Sequence, residues 1–94
     1  MITLNEVKQI VDKLSLEDLP VTDDSLIDDI SCIVYCNDVF ECGDDTVNSR
    51  HIDIEFSFGE YYEIHEDDPA FQFICTLCKL PMTEEEQELI IYQK

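Results

Sequence analysis

The segment from His51 to Asp68 constrains the fold more than any other part of the sequence. Apolar and polar residues alternate from residue 51 in the order HIDIEFSF. This period of two predicts a half-buried β-strand, and the run from Tyr61 to His65 predicts its antiparallel partner. A three-residue loop over 58–60 would join the two strands, because Gly59 suits the left-handed backbone position of such loops.

A three-residue loop fixes the register expected for this hairpin. On the solvent side Asp53 would oppose His65, and Glu55 would oppose Glu63. Like charges that face each other across a strand pair destabilise a sheet. An ordinary solvated strand face is the simple explanation of this pattern. The alternative is that negative surface has itself been selected.

The helices expected around this hairpin begin at recognisable capping signals. Thr3 and Glu6 form a capping box that predicts a helix over 4–14. Asp68 followed by proline predicts a helix over 69–80. A second capping box, Thr83 with Glu86, predicts a final helix over 84–92.

The stretch over 23–36 has two possible structures. A short helix to about residue 29 followed by a strand over 30–36 fits the β-forming residues CIVYC. One continuous helix from Asp23 to Cys36 fits the apolar spacing equally well, and periodicity does not separate the two. We predict the short helix and the strand over 30–36. With the hairpin over 51–65, we expect a single α+β domain over 1–94. Its helices would cover one face of a small antiparallel sheet.

Charge separates this chain from an ordinary domain of its size. Its 94 residues include 23 acidic residues against 5 Lys and Arg, which gives a formal net charge of −18. Such a field repels nucleic acid and anionic membranes and attracts basic proteins. A compact chain of this length is roughly 30 Å across. Duplex DNA carries about 18 charges over that distance, a similar linear charge density.

Patterns that would mark an enzyme or a cofactor site are weak. Cys75 and Cys78 have zinc-ligand spacing, and other cysteines (Cys32, Cys36, Cys42) could complete a site. Cys75 and Cys78 both lie in the middle of a predicted helix among apolar residues, where reduced Cys acts as a small apolar side chain. His51 and His65 beside Asp53 are typical of surface ion pairs. We therefore expect no catalytic residues, no metal site and no cofactor.

The acidic residues occur in clusters along the whole chain. Some cap helices, but capping needs only one or two acids per helix, so most of the clusters need another explanation. Carboxylates fixed on a folded surface could take the place of phosphates and engage the Lys and Arg of a DNA-binding protein. The candidate partner-binding residues are Glu17, Asp18, Asp23, Asp24, Asp28, Asp29, Asp44, Asp45, Asp53, Glu55, Glu63, Glu66, Asp67, Asp68, Glu84 and Glu85.

The sequence also indicates a cellular location. The first twenty residues contain Glu and Asp and lack the apolar core of a secretory signal. No apolar run is long enough to cross a membrane. We expect a cytoplasmic protein with reduced thiols.

The opening MITLNEVKQIVDKLSLEDLP, the small size and the acidic α+β layout resemble the Arn family, the anti-restriction nuclease proteins of T-even phages. The resemblance covers the whole chain but includes no short diagnostic motif. It implies a dimeric DNA mimic acting in an infected bacterium. The implied target is the modified-cytosine restriction endonuclease McrBC, with the nucleoid protein H-NS as a further partner. The alternatives are a small cysteine- or zinc-containing regulatory domain and an acidic adaptor that binds a basic protein away from its DNA site.

Overall fold

The structure is a computed structural model and describes residues 2–14 and 25–94. Within them the chain forms α1 (Leu4–Lys13), α2 (Ser25–Asp29), β1 (Ile30–Cys42), β2 (Asp45–Phe56), β3 (Tyr61–His65), α3 (Pro69–Cys78) and β4 (Gln87–Gln93). The four strands make one antiparallel sheet in the order β3-β2-β1-β4. The predicted α+β class, with a small antiparallel sheet, is confirmed.

One face of the sheet, the inner face, packs against the helices. Alternate residues of the two central strands are fully buried there, among them Ile33, Tyr35, Ile52 and Ile54. They join the apolar residues of α1 and α3 in a single core. Burying each such side chain stabilises the fold by roughly 1.5–3 kcal/mol. This core holds the backbone of the sheet in place, so the points from which side chains leave its opposite face are fixed.

The two long helices begin where their capping signals predict. Thr3 and Glu6 form the reciprocal capping box of α1. The Asp68 side chain accepts the backbone N–H of Ala70 at the start of α3, with proline in the first turn. The helix α3 ends at Cys78, where Lys79 adopts a left-handed conformation. None of the described helices combines the length and apolarity needed to span a membrane.

The helix-then-strand alternative is correct for the described part of 23–36. The helix α2 ends at Asp29 and β1 begins at Ile30. The strand continues to Cys42, beyond the predicted end at residue 36. Past residue 38, β1 pairs only with β2, so residues 39–48 form a two-stranded arm that projects from the sheet. The longest dimension of the described residues is 47 Å, against the roughly 30 Å expected for a compact chain.

The helix predicted over 84–92 is wrong, because this segment forms the edge strand β4. Its residues pair with β1, the strand that would otherwise leave its second edge without a partner. Two side chains of the inner face are hydrogen-bonded to the segment that precedes β4. Asn37 donates through Nδ2 to the carbonyls of Thr83 and Glu85, and Arg50 Nη2 donates to the same Thr83 carbonyl. Tertiary hydrogen bonds therefore override the local capping pattern.

The hairpin over 51–65 is confirmed, but its loop and register differ from the prediction. Residues 57–60 lie between the two strands, and a hydrogen bond from the Phe56 N–H to the Glu60 carbonyl closes a three-residue turn over 57–59. In this register Asp53 lies opposite Glu63, and His51 lies opposite His65. The turn is centred one residue earlier than predicted, so the partner of each residue changes by two positions. Glu63 still opposes a carboxylate, but that of Asp53 instead of Glu55.

Candidate acidic face and metal-ligand cluster

The outward side of the sheet, here called the open face, carries the concentrated negative charge. Outside the arm, strand alternation and pairing place five carboxylates on it, one or two from each strand. None of the outward positions in the described strands is Lys or Arg. The five residues are Asp38 on β1, Asp53 and Glu55 on β2, Glu63 on β3 and Glu88 on β4.

His51 lies among three of these carboxylates. Its Nε2 is 3.4 Å from Asp53 Oδ2 and 3.8 Å from Glu63 Oε1, while its Nδ1 is 4.0 Å from Asp38 Oδ2. The imidazole is only 15% exposed, whereas Glu63 is about half exposed. A protonated His51 would offset part of the local negative charge, but a single ring cannot neutralise three carboxylates.

Asp53 is the most constrained carboxylate of the open face. Burial raises its pKa, the nearby His51 opposes this effect, and Glu63 and Glu55 raise the pKa further. The carboxylate is therefore destabilised in its charged form by both desolvation and its neighbours. Its charge makes this part of the sheet less stable than a neutral or oppositely charged residue would.

The opposed Asp53 and Glu63 predict a stabilising substitution. Glu63→Lys converts a like-charge cross-strand pair into an opposite-charge pair, so we expect a gain in unfolding free energy of about 0.5–1 kcal/mol. Glu84→Lys makes the same change in net charge outside the sheet and should give a smaller gain. Urea denaturation with a metal chelator present measures both variants. Equal gains would show that net charge alone, not the cross-strand pair, controls stability.

The basic side chains lie away from the open face or are engaged elsewhere. Arg50 is on the inner side, where it bonds to the Thr83 carbonyl. The Lys94 ammonium donates to the Asp28 carbonyl, and the Lys13 ammonium lies over the Phe73 ring at 5.2 Å from its centroid. Lys8 is an exposed residue of α1, and Lys79 caps α3. The open face consequently keeps its negative charge.

The other predicted partner-binding acids are spread over separate parts of the chain. Asp28 and Asp29 end α2, and Asp44 and Asp45 lie at the tip of the arm. The turn before α3 contains Glu66, Asp67 and Asp68. Glu66 accepts the Arg50 N–H there, and Asp68 caps the helix.

The remaining predicted acids fall into two groups. Glu84 and Glu85 are exposed in the segment that leads to β4. Glu17, Asp18, Asp23 and Asp24 lie outside the described residues. The structure thus brings together three of the predicted acids, Asp53, Glu55 and Glu63, on the open face.

Two acids of the open face, Asp38 and Glu88, are absent from the predicted set. Asp38 follows Val34 and Cys36 at two-residue spacing, so the alternation would have revealed it had the strand been extended beyond residue 36. Glu88 pairs with Cys36 across β1 and β4. The sequence did not reveal Glu88 because β4 was predicted as a helix, and helical periodicity does not place residue 88 on a face of the sheet.

The cysteines lie on opposite sides of the sheet. Cys75 is buried in the core on α3 and Cys78 is half-buried on the same helix, whereas Cys32 and Cys36 belong to the open face. The sheet therefore separates the pair with zinc-ligand spacing from the β1 cysteines proposed to complete its site. Burial raises the pKa of Cys36 to about 11, with further contributions from Asp53 and Glu88. At neutral pH this thiol is protonated and is a weak nucleophile.

A cluster with metal-ligand chemistry is present at a different place. Cys36, His51 and Asp53 each offer one ligand atom, and these atoms lie within 4.8 Å of one another. Neither Cys75 nor Cys78 belongs to such a group within the described part of the chain. His51 and Asp53 had been interpreted as a surface ion pair, because only the register of β1 on β2 brings Cys36 to them.

Comparisons with protein-family models, with curated proteins and with solved structures give no match. The function proposed below consequently depends on the geometry and charge of the open face, together with the resemblance described above.

Proposed function

We propose that this protein binds, through its open face, the DNA site of a basic DNA-binding protein and blocks that site competitively. The observation that supports this proposal is the set of five carboxylates on one sheet face without a Lys or Arg among the outward strand residues. A DNA-binding site offers Lys and Arg side chains to phosphates. Carboxylates held in place by a packed core can accept the same charge-assisted hydrogen bonds.

The dimensions of the molecule support occupation of an elongated site. The described residues span 47 Å, and a duplex of that length carries about 28 charges. Four of the 23 acidic residues lie outside the described ranges, so the described residues contain 19 Asp and Glu against 5 Lys and Arg, a net charge of −14. They therefore have about half of the linear charge density of DNA. Five carboxylates share the open face, where none of the outward strand residues is Lys or Arg, so a partner at this face meets negative charge without a basic side chain.

The resemblance to the Arn family makes McrBC the first target to test and H-NS the second. The resemblance also implies that the protein acts in the cytoplasm of an infected bacterium. A homodimer, which the resemblance also implies, would extend the acidic surface along the DNA-binding groove of the target. The proposed function needs no catalytic residue in this protein, because blocking the DNA site of the target requires only binding.

Displacement of labelled duplex DNA from McrBC measures this function directly. We expect the protein to displace the duplex at 50 mM salt. At 500 mM salt its association rate constant with McrBC should be at least about tenfold lower, because salt screens electrostatic steering. Excess unlabelled DNA should compete with the protein for the target. A complex that still binds DNA would show instead that the protein is an acidic adaptor. Binding insensitive to both salt and DNA would exclude mimicry.

A further inference from the structure

We propose that Cys36, His51 and Asp53 form a binding site for a divalent transition-metal ion, with Zn²⁺ as the physiological candidate. The three side chains present a sulfur, an imidazole nitrogen and a carboxylate oxygen within 4.8 Å of one another. This is a second property of the open face and does not depend on the proposed protein partner.

The sheet itself assembles the ligand set. Cys36 on β1 lies directly opposite His51 on β2, and Asp53 follows His51 by two residues on the same strand. Residues at i and i+2 of a strand point to the same face, and cross-strand partners have their Cβ atoms about 4.5–5.5 Å apart. The core beneath fixes both strands, so the three donors are held together before a metal binds.

The distances fit tetrahedral coordination. At the usual Zn–N and Zn–O bond lengths, two tetrahedral donors lie about 3.4 Å apart. His51 Nε2 is 3.4 Å from Asp53 Oδ2. Glu63 Oε1 is 3.8 Å from the same nitrogen, but Glu63 does not belong to the group of donors that all lie close to one another. Three protein ligands leave the fourth tetrahedral position for a water molecule. The Cys36 sulfur lies within 4.8 Å of the other two donors, and zinc binding would draw it closer through a change in its side-chain torsion.

A carboxylate is also available to orient the imidazole. Metal-binding histidines commonly donate their second ring N–H to a carboxylate, which fixes the tautomer and the plane of the ring. With Nε2 directed at the metal, Nδ1 is the nitrogen 4.0 Å from Asp38 Oδ2. A small rotation of the exposed Asp38 side chain would complete this hydrogen bond. Asp38 is accordingly a positioning residue for the metal site.

The donor set determines which cations are favoured. Thiolate and imidazole ligands select Zn²⁺, Co²⁺ and related ions, whereas Mg²⁺ and Ca²⁺ prefer sites made only of oxygen ligands. A dication would also relieve the repulsion between Asp53 and Glu63, which oppose each other across β2 and β3. Nonspecific binding to acidic surface would instead favour Ca²⁺ and would not require sulfur.

Titration of the reduced, chelator-treated protein with Co²⁺ tests the site. We expect one Co²⁺ per chain, a sulfur-to-cobalt charge-transfer band, and visible absorption with the intensity of tetrahedral cobalt. Zn²⁺ should displace the Co²⁺, while a hundredfold excess of Ca²⁺ should not. Cys36→Ser should abolish the charge-transfer band, and Asp53→Asn should weaken binding by about a hundredfold. Asp38→Asn should weaken it by roughly tenfold, as expected for a group that positions a ligand.

Cys32→Ser is the matched control, because Cys32 shares the open face but donates its thiol hydrogen to Glu55. This variant should retain the charge-transfer band and the affinity for Co²⁺. A band that persists in Cys36→Ser would overturn the proposal. Displacement of Co²⁺ by Ca²⁺, or the absence of stoichiometric binding to the folded wild-type protein, would also overturn it. Circular dichroism of each variant confirms that a loss of binding does not reflect unfolding.

Discussion

The triple variant Asp53→Asn, Glu55→Gln, Glu63→Gln is expected to compete with DNA about a hundredfold less well than the wild-type protein. Each substitution keeps the shape of the side chain and removes one negative charge from the open face. Three charge-assisted contacts at about 1 kcal/mol each correspond to roughly 3 kcal/mol of binding free energy. Because 1.4 kcal/mol is a factor of about ten, the combined loss exceeds a hundredfold.

The matched control removes the same number of charges elsewhere. Asp12→Asn, Glu41→Gln and Glu86→Gln together also raise the net charge by three, at exposed positions of α1, of β1 in the arm and of the segment before β4. The affinity of this variant for McrBC should fall by less than about fivefold, since the substitutions reduce long-range electrostatic steering without removing contacts. Fluorescence anisotropy of a labelled duplex on McrBC compares the two variants. Equal losses would show that total charge, not the open face, determines affinity.

Salt dependence gives a second comparison between these variants. The contacts made by the open face contribute to the salt sensitivity of wild-type binding. Removing them should flatten the dependence of affinity on salt concentration more than the control substitutions do. If both variants bind as tightly as the wild-type protein, neither set of carboxylates takes part and phosphate mimicry is wrong.

Local sequence signals predicted most of the fold. The capping box of Thr3 with Glu6 and the Asp68-Pro69 pair each satisfy free N–H groups within a few residues, so they act without help from the rest of the chain. The alternation around Ile52 and Ile54 also has a local meaning, because its period distinguishes a strand from a helix. These elements were predicted close to their observed positions.

Pairing with residues distant in the sequence determines the structure of the segments that were predicted incorrectly. The segment QELIIYQ at the end of the chain follows a genuine capping pattern, but β1 has an unpaired edge that only this segment covers. Its own periodicity contains no information about that edge. The same reason explains the missed residues. Asp38 and Glu88 reach the open face, and Cys36 reaches His51, only through strand pairing and register.

Asn37→Asp is expected to produce the largest loss of stability, about 3 kcal/mol or more. Asn37 is fully buried, and its amide Nδ2 donates to the Thr83 carbonyl at 3.2 Å and to the Glu85 carbonyl at 2.7 Å. The substitution is nearly isosteric, but a carboxylate cannot donate and would face two carbonyl oxygens in a buried position. Asn37→Ala removes the donor without adding a charge, so it should cost about 1–3 kcal/mol.

The loss of stability should affect β4 first, because Asn37 is hydrogen-bonded to the segment that leads into this strand. Hydrogen exchange of Asn37→Ala should show faster exchange for the amides of β4 while those of β2 stay protected. Asn5→Asp is the control, since it makes the same chemical change at an exposed position of the first turn of α1 and should lose less than about 1 kcal/mol. Unchanged protection of β4, or equal destabilisation by the two Asp substitutions, would contradict this role of Asn37. The outcome also bears on the open face, because Glu88 is presented there only while β4 remains paired with β1.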